Sequence, residues 1–238
     1  MKKTIMILMI SSLMGLTGCI ETEDIKDNAL SKETQSVMDE GSDEGSKSTA
    51  TLEKKTKDEL DQLANQEFFI QGEHLSNADD ETVIEFGKAF INLYNGAVAD
   101  QERVSFEKYI SNKNLQEFTD KMLELTQRQD AQGGNAIHYG LENKFEQATL
   151  RHIKDNVIYL ELPFQHESSR MGSEMLITAE NNALKIVDLY FGSKDGVDTY
   201  ATGHPAEREM NDPDLWKNEE WVKRVFEKLD EFSGMLDA

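Results

Sequence analysis

The sequence predicts an α+β domain in which N-terminal helices pack on a curved antiparallel sheet, followed by a C-terminal amphipathic helix. Apolar residues recur at helical three-and-four spacing before Gly140, whereas short, partly alternating segments with polar turns follow it. Because helices come first and strands afterwards, the order is that of an α+β domain with helices on one face of the sheet.

Two long helices are predicted in the first half of the domain, and a shorter apolar cluster between them makes two or three helices in all. The cluster is Val104, Phe106, Tyr109 and Ile110. Asp79 or Asp80 caps the first helix, and Asn95-Gly96 ends it. Ser111 or Asn112 caps the second, which stops before a Gly-Gly pair. Each helix has one buried apolar face. The two faces consist of Val83, Phe86, Phe90, Leu93 and Tyr94, and of Leu115, Phe118, Met122 and Leu125.

The second half of the domain is predicted to be an antiparallel meander. Polar turns at 154–156 and 180–182 join apolar segments. A polar connection is expected around Ser168–Gly172, and 192–203 is interpreted as a loop. The predicted strands are 145–153, 157–165, 175–177 and 184–191.

The segment 204–238 is predicted to contain a long helix. Asp212-Pro213-Asp214 is a good helix start, because aspartate caps helices and proline suits the first helical position. The helix is expected to reach about Phe232, and its wide apolar stripe favours docking on the domain itself over a seam with a partner helix. The candidate interaction residues are Leu215, Trp216, Trp221, Val225, Phe226 and Leu229.

The N-terminus has the pattern of a secretion signal. Lys2 and Lys3 precede an apolar stretch that is too short for a permanent membrane span, and Leu16-Thr17-Gly18-Cys19 ends it. This arrangement resembles the lipobox of bacterial lipoproteins. The resemblance implies cleavage before Cys19 and lipidation of its thiol, which anchors the protein on the extracytoplasmic side of the cell membrane. The alternative is a plain signal peptide or membrane anchor with an incidental cysteine.

Composition divides the chain into four segments: signal peptide 1–18, lipidated cysteine with acidic tether 19–66, α+β domain 67–203, and C-terminal helix 204–238. The tether is rich in Asp, Glu, Ser, Thr and Lys and has too few apolar residues to order itself. A nascent helix over Thr51–Ala64 is the less favoured interpretation of its last part.

Charge and cysteine content exclude several function classes. The formal net charge is -21, which repels nucleic acid phosphates and anionic lipid head groups, so membrane attachment has to come from acyl chains. Cys19 is the only cysteine, so the mature domain has no disulfide, no cysteine metal site and no thiol redox chemistry.

The order of elements, ending in the strand Ala183–Phe191, resembles the nuclear transport factor 2-like (cystatin-like cone) superfamily. The matching pieces are Phe86–Tyr94, Leu115–Leu125 and the hairpin Phe145–Phe164. The likeness is to small extracytoplasmic members attached to cell-envelope proteins of Gram-positive bacteria. It implies a cone-like fold with a cavity, which serves isomerases, dehydratases or cyclases in some relatives and is a scaffold in others. Fold alone does not choose between these roles.

Acid–base candidates for such a cavity lack a motif. Glu161 and Asp188 are possible carboxylate partners, but no spacing links them to a histidine or tyrosine. We therefore predict no catalytic residue and no enzymatic activity. The candidate histidines and tyrosines are Tyr94, His138, Tyr139, His152 and His166.

Metal and loop candidates are also weak. Asp195-Gly196-Val197-Asp198 suggests a calcium loop but lacks the further ligands, so a turn is favoured. His204 and Glu207 are two ligands only, which is too few for a zinc site. We predict no metal and no cofactor. His204 and Arg208 stay candidates for a binding loop, although a structural crossover is favoured there.

The favoured function is a non-enzymatic, surface-anchored lipoprotein that acts as an interaction or scaffold module for another envelope protein. The alternative is a cavity-type binder of a small apolar ligand, less favourably an isomerase- or dehydratase-like enzyme. A transporter's substrate-binding lipoprotein is disfavoured, because two α/β lobes do not fit the length after the tether. A Gram-positive membrane is favoured, and the outer membrane is expected if the cell is Gram-negative.

Overall fold

Helices occupy the first half of the domain and strands most of the second, which confirms the predicted α+β class. The computed structural model describes residues 57–133, 143–154, 156–166, 169–204 and 206–238, all within the compact unit Asp43–Ala238. The lipobox with Cys19, the tether before residue 57, His138 and Tyr139 lie outside the described residues.

Among the described residues, three α-helices precede the strands: α1 at residues 57–64, α2 at Asp80–Ala99 and α3 at Lys113–Ala131. A short 3₁₀ helix, Asn77–Asp79, leads into α2. The predicted end of α2 at Asn95-Gly96 is wrong, because both residues are buried and the Asn95 side chain donates to Asn143 Oδ1 at 3.0 Å. Asn112 caps α3, as predicted, since its side chain accepts from the backbone of Asn114 and Leu115.

In the part of the chain that the structure describes, seven antiparallel strands form two sheets. Their orders are β1-β4-β5 and β2-β3-β6-β7. The strands are β1 Lys144–Phe145, β2 Thr149–Lys154, β3 Val157–Glu161, β4 Phe164–His166, β5 Ser169–Met171, β6 Glu174–Glu180 and β7 Ala183–Tyr190.

The boundaries of several strands differ from the prediction. The predicted strand 145–153 is two strands in different sheets, and 157–165 is divided near Pro163, which has no N–H to donate to a ladder. The polar connection predicted around Ser168–Gly172 contains strand β5, Ser169–Met171. The predicted turn at 180–182 is present, and Lys154 pairs with Val157 on the two sides of the other. Asn156, Asn181 and Asn182 adopt positive φ, as tight hairpin turns require.

The main core lies between α2, α3 and the four-stranded sheet. A Cβ placed on Gly87 of α2 would lie 2.5 Å from Leu160 Cδ2, so the absence of a side chain there lets α2 approach β3 closely. All nine residues of the two predicted helical faces are buried, which confirms those faces. Register shifts in the β2–β3 and β6–β7 pairs add local bends to the sheet.

Two loop segments cover the outer edge of β7. Leu184 N donates to Phe68 O at 2.8 Å, and Ile186 N donates to Tyr109 O at 2.7 Å. Phe69 and Ile110 accordingly form isolated bridges with β7.

The C-terminal part begins with α4, Val197–Thr202, where a loop was predicted. Its Val197, Asp198 and Ala201 are buried, which explains why a short polar segment is helical. A 3₁₀ turn, Leu215–Lys217, precedes the last helix, α5 at Glu219–Leu236.

The predicted start of the last helix at Asp212-Pro213-Asp214 is wrong. Asp212 Oδ1 accepts from Asp214 N at 3.0 Å and forms a local turn, whereas Asn218 caps α5 through Trp221 N. The helix also continues past Phe232. Among the described residues, no helix has the length and apolar character needed to cross a membrane.

Candidate functional site

The C-terminal segment is attached to the sheet at one buried carboxylate. Asp188 of β7 has a fully buried side chain, and Arg208 Nη2 lies 2.6 Å from both of its oxygens. Trp216 Nε1 donates to Asp188 Oδ1 at 2.7 Å. Burial raises the pKa of Asp188, while the Arg208 guanidinium and the Trp216 N–H oppose that rise. The prediction left Asp188 as a possible acid–base partner, but its partners are a guanidinium and an indole.

An aromatic stack continues from this carboxylate to the surface. The Trp216 ring packs 4.7 Å from the Phe118 ring of α3 and 4.6 Å from the Trp221 ring of α5. The Arg208 guanidinium carbon lies 5.4 Å from the Trp221 ring centroid, and its side chain is 5% exposed. The guanidinium therefore joins the sheet, the stack and α5 in one cluster.

Beside this stack lies a cleft of about 580 Å³, which we call the α4–α5 cleft. It is bounded by α4, by the segment 203–212 and by α5. Its aromatic walls are Tyr200 and Trp221. Its charged lining residues are Glu207, Arg208, Glu209, Asp212, Arg224 and Lys228. The remaining lining residues are Ala201, Thr202, Gly203, Asn211 and Leu215.

Tyr200 is the most accessible aromatic residue of the cleft, at 37% exposure. Its hydroxyl donates to Glu231 Oε2 at 3.2 Å, and its ring packs 5.4 Å from the Phe232 ring. The Lys228 ammonium lies 5.5 Å from the Tyr200 ring centroid and 2.6 Å from Glu231. These contacts keep the tyrosine ring at the edge of the cleft.

The predicted interaction residues divide into two groups. Trp216, Val225 and Leu229 are buried in the protein's own core and are not accessible to a partner in the folded state. Leu215, Trp221 and Phe226 are partly exposed, and the first two line the cleft. The apolar stripe of α5 thus packs on the protein's own core, against α3, α4 and the 3₁₀ turn.

The two loop candidates are separated by the structure. Arg208 lines the cleft, whereas His204 is exposed and its Nδ1 accepts from Ala206 N at 3.3 Å. Glu207 also lines the cleft but has no zinc-ligand cluster around it. Within the described ranges, no group of three or more His, Cys, Asp or Glu side chains is placed to hold a metal ion.

The other chemical candidates have structural partners. Asp198 accepts from the backbone of Phe191 and Gly192 at 2.7 and 2.8 Å. The turn predicted for 195–198 is wrong in its second half, because Val197 and Asp198 begin α4. His152 Nε2 lies 3.6 Å from Asp80 Oδ1 at a partly exposed position. The Tyr94 hydroxyl lies 3.2 Å from the Thr126 hydroxyl oxygen.

Sequence reasoning missed Tyr200, Arg224 and Lys228. A signal was present for the last two, because Trp221, Arg224 and Lys228 follow i, i+3, i+7 spacing and so share one helix face. Tyr200 had no such signal, since its helix was interpreted as a loop.

No known protein family, no curated protein and no solved structure matches the chain. The function is therefore argued from the cleft and from the N-terminal sequence.

Proposed function

We propose that the protein is a non-enzymatic lipoprotein that is anchored through Cys19 on the extracytoplasmic side of the cell membrane and binds another envelope protein. The observation that supports this most is the composition of the α4–α5 cleft. Tyr200 and Trp221 line it, and Tyr and Trp are among the residue types that dominate the binding energy of protein interfaces.

The position of the cleft also favours a binding role. Arg208 of the cleft is hydrogen-bonded to Asp188 of the sheet, and Trp221 packs on Trp216, which contacts Phe118 of α3. These contacts hold Arg208 and Trp221 in place before a partner binds. A preordered surface loses little conformational entropy on binding. The proposal includes an acidic tether that holds the domain away from a Gram-positive membrane, or from an outer membrane if the cell is Gram-negative.

We further propose a cone-like domain of the nuclear transport factor 2-like kind, completed by an amphipathic C-terminal helix. The register shifts in two strand pairs support curvature of the sheet. Val225, Leu229 and Phe232 are buried while Lys223, Glu227 and Asp230 are exposed, which supports the amphipathic description. The close approach of Gly87 and Leu160 gives no support to a small apolar ligand between α2 and β3.

The binding role is tested by photo-crosslinking in intact cells. A photoreactive amino acid replaces Tyr200 in the cleft. In a control chain it replaces Thr149, an exposed residue of β2, which is the edge strand opposite to β7 in the four-stranded sheet. We expect one envelope protein in the crosslinked product from position 200 and none from position 149. The same product from both positions, or none from position 200, would overturn the binding role.

The anchor is tested separately. Cys19→Ser removes the only thiol, so we expect the variant to lose incorporated palmitate and to leave the membrane fraction. A Cys19→Ser chain that keeps its lipid and its membrane association contradicts the anchor.

A further inference from the structure

The charged groups of the α4–α5 cleft do not balance once their internal partners are considered. Arg208 is paired with Asp188, and Lys228 is paired with Glu231. Among the described residues, Glu207, Glu209 and Asp212 form no ion pair, and all three are exposed. Arg224 is the one cation of the lining that has no ion pair within the described ranges. Glu209 accepts from the Asn211 side chain at 2.8 Å and Asp212 from Asp214 N at 3.0 Å, and neither hydrogen bond neutralises the carboxylate. The cleft therefore presents three carboxylates without an ion pair against one such guanidinium.

The aromatic walls favour the same sign of ligand charge. Tyrosine and tryptophan faces attract cations, and the attraction is largest where water is partly excluded. Lys228 gives an internal example, because its ammonium lies 5.5 Å from the Tyr200 ring and 2.6 Å from Glu231. The Arg208 guanidinium likewise lies 5.4 Å from the Trp221 ring and is paired with Asp188. Both rings thus already hold an internal cation that has its own carboxylate, so a further cation beside them needs a carboxylate of its own.

The charge of the whole protein acts in the same direction. A formal net charge of -21 repels anionic ligands at a distance and raises the association rate of cationic ones. A ligand that places positive charge in the cleft gains both the long-range attraction and the local contacts.

We propose that the α4–α5 cleft binds a basic, Lys- or Arg-bearing segment of the partner protein. This inference rests on the proposed function and adds the chemistry of the partner. The basic side chains contact Glu207, Glu209 and Asp212 and lie against Tyr200 and Trp221. Arg224 disfavours a cation at its end of the cleft and so limits the positions that the segment occupies.

The test uses the full lipidated chain in detergent micelles and a peptide of alternating lysine and glycine as the probe. The triple variant Glu207→Gln, Glu209→Gln, Asp212→Asn removes the unpaired carboxylates. We expect about a tenfold weaker Kd, because each exposed charge pair contributes a few-fold. The matched control Glu73→Gln, Glu81→Gln, Glu117→Gln lowers the negative charge equally at exposed positions elsewhere, and we expect less than a twofold change.

Arg224→Glu gives a second result with the opposite sign. Since this variant removes a repelling cation, we expect tighter binding of the lysine peptide. Weaker binding by Arg224→Glu, or equal effects of the two triple variants, would overturn the proposal. Preferred binding of a glutamate–glycine peptide, or of vesicles with anionic head groups, would overturn it as well.

The crosslinking experiment separates this inference from the proposed function. One outcome is that position 200 captures an envelope protein while the Kd of the lysine peptide is the same for wild type and cleft variants. In that case the basic segment is wrong and the binding role stands. If position 200 captures nothing, the binding role fails first.

Discussion

The inner face of the four-stranded sheet and the C-terminal segment are attached to the same domain by different forces. Leu160, Ile158 and Ile177 on the inner face are fully buried and meet the helices through apolar contacts. The C-terminal segment also packs apolar residues of α5 into the core, but its attachment to β7 uses the charged hydrogen bonds of Asp188 with Arg208 and Trp216. Apolar packing adapts to small changes in volume, whereas a buried charge pair is lost when one partner is removed. The geometry of the cleft therefore depends on one carboxylate.

The largest effect is expected from Asp188→Ala. It leaves the Arg208 guanidinium buried without its carboxylate, which costs about 3–5 kcal/mol in the free energy of unfolding. Urea denaturation measures the loss, and hydrogen exchange should show faster exchange in 204–236 than in α2. Uniform exchange over both regions would contradict the contrast between them.

A double variant sharpens this prediction. Asp188→Ala with Arg208→Met removes both buried charges, so we expect its loss to be smaller than the sum of the two single losses. Additive losses in the denaturation cycle would mean that the two residues do not stabilise each other. Asp214→Asn breaks the exposed pair with Lys217 and serves as the control, for which we expect no measurable change.

On the inner face, Leu160→Ala should cost about 2–5 kcal/mol, because a buried side chain is replaced by a cavity beside Gly87. The loss is measured by urea denaturation and should be independent of salt, since no charge is involved. Met235→Ala, at a 53% exposed position of α5, is the control and should have little effect. A small loss for Leu160→Ala would indicate that the interface between α2 and β3 is loosely packed.

A smaller effect is expected at the start of α2, where a carboxylate accepts hydrogen bonds without a charged partner. Asp79 accepts from the Ser76 hydroxyl at 2.9 Å and from the backbone N–H groups of Ser76 and Gln71 at 3.0 and 3.2 Å. Burial raises the pKa of Asp79, but these hydrogen bonds together lower it below its ordinary value. The ionised side chain therefore stabilises the folded state above the unfolded pKa of about 3.9, and this contribution is lost as the pH falls through the lower folded value.

The measurement compares the wild-type chain with Asp79→Asn by urea denaturation at several pH values. We expect Asp79→Asn to be less stable by about 1.5–3 kcal/mol at neutral pH, because hydrogen bonds to a charged group are lost, and the difference to shrink below about pH 4. A difference that grows as the pH falls would show that the sign is wrong.

The smallest effect is expected from Asn112→Ala at the start of α3. The Asn112 side chain accepts from Asn114 N at 2.9 Å and Leu115 N at 3.1 Å, and its loss costs about 1 kcal/mol. Asn112→Asp keeps an accepting oxygen and should retain most of the stability in thermal unfolding. If both variants are equally destabilised, the cap is not the cause.

Much of the fold was predictable because its signals are local. The buried faces of α2 and α3 follow from apolar spacing, and the hairpin turns follow from Asn156 and Asn181-Asn182. The ends of elements depend on distant contacts instead. Asn95 looks like a helix end in sequence, but burial and a hydrogen bond with Asn143 let α2 continue. Similarly, Asp212-Pro213 has the pattern of a helix start. Trp216 instead donates a hydrogen bond to Asp188 from a 3₁₀ turn, and the helix begins after that turn.

The site was predicted only in part, for a related reason. Trp221 and Arg208 were identifiable as residue types typical of interfaces and binding loops. That Arg208 meets Asp188 across 20 residues of chain is a tertiary fact, and no local pattern contains it. Tyr200 enters the cleft only because α4 forms, and α4 forms because its Val197 and Ala201 are buried by the rest of the domain.

The covered edge of β7 affects whether two copies of the protein can pair through their strand edges. If the anchor proposed above holds, copies of the protein diffuse in one plane and meet side by side more often than free molecules do. An unprotected strand edge invites neighbours to add on and polymerise. The bridges of Phe69 and Ile110 close the β7 edge, and the opposite edge strand β2 presents Arg151 and Lys154, whose like charges repel a second β2. Both edges of the four-stranded sheet thus disfavour strand addition by a second copy.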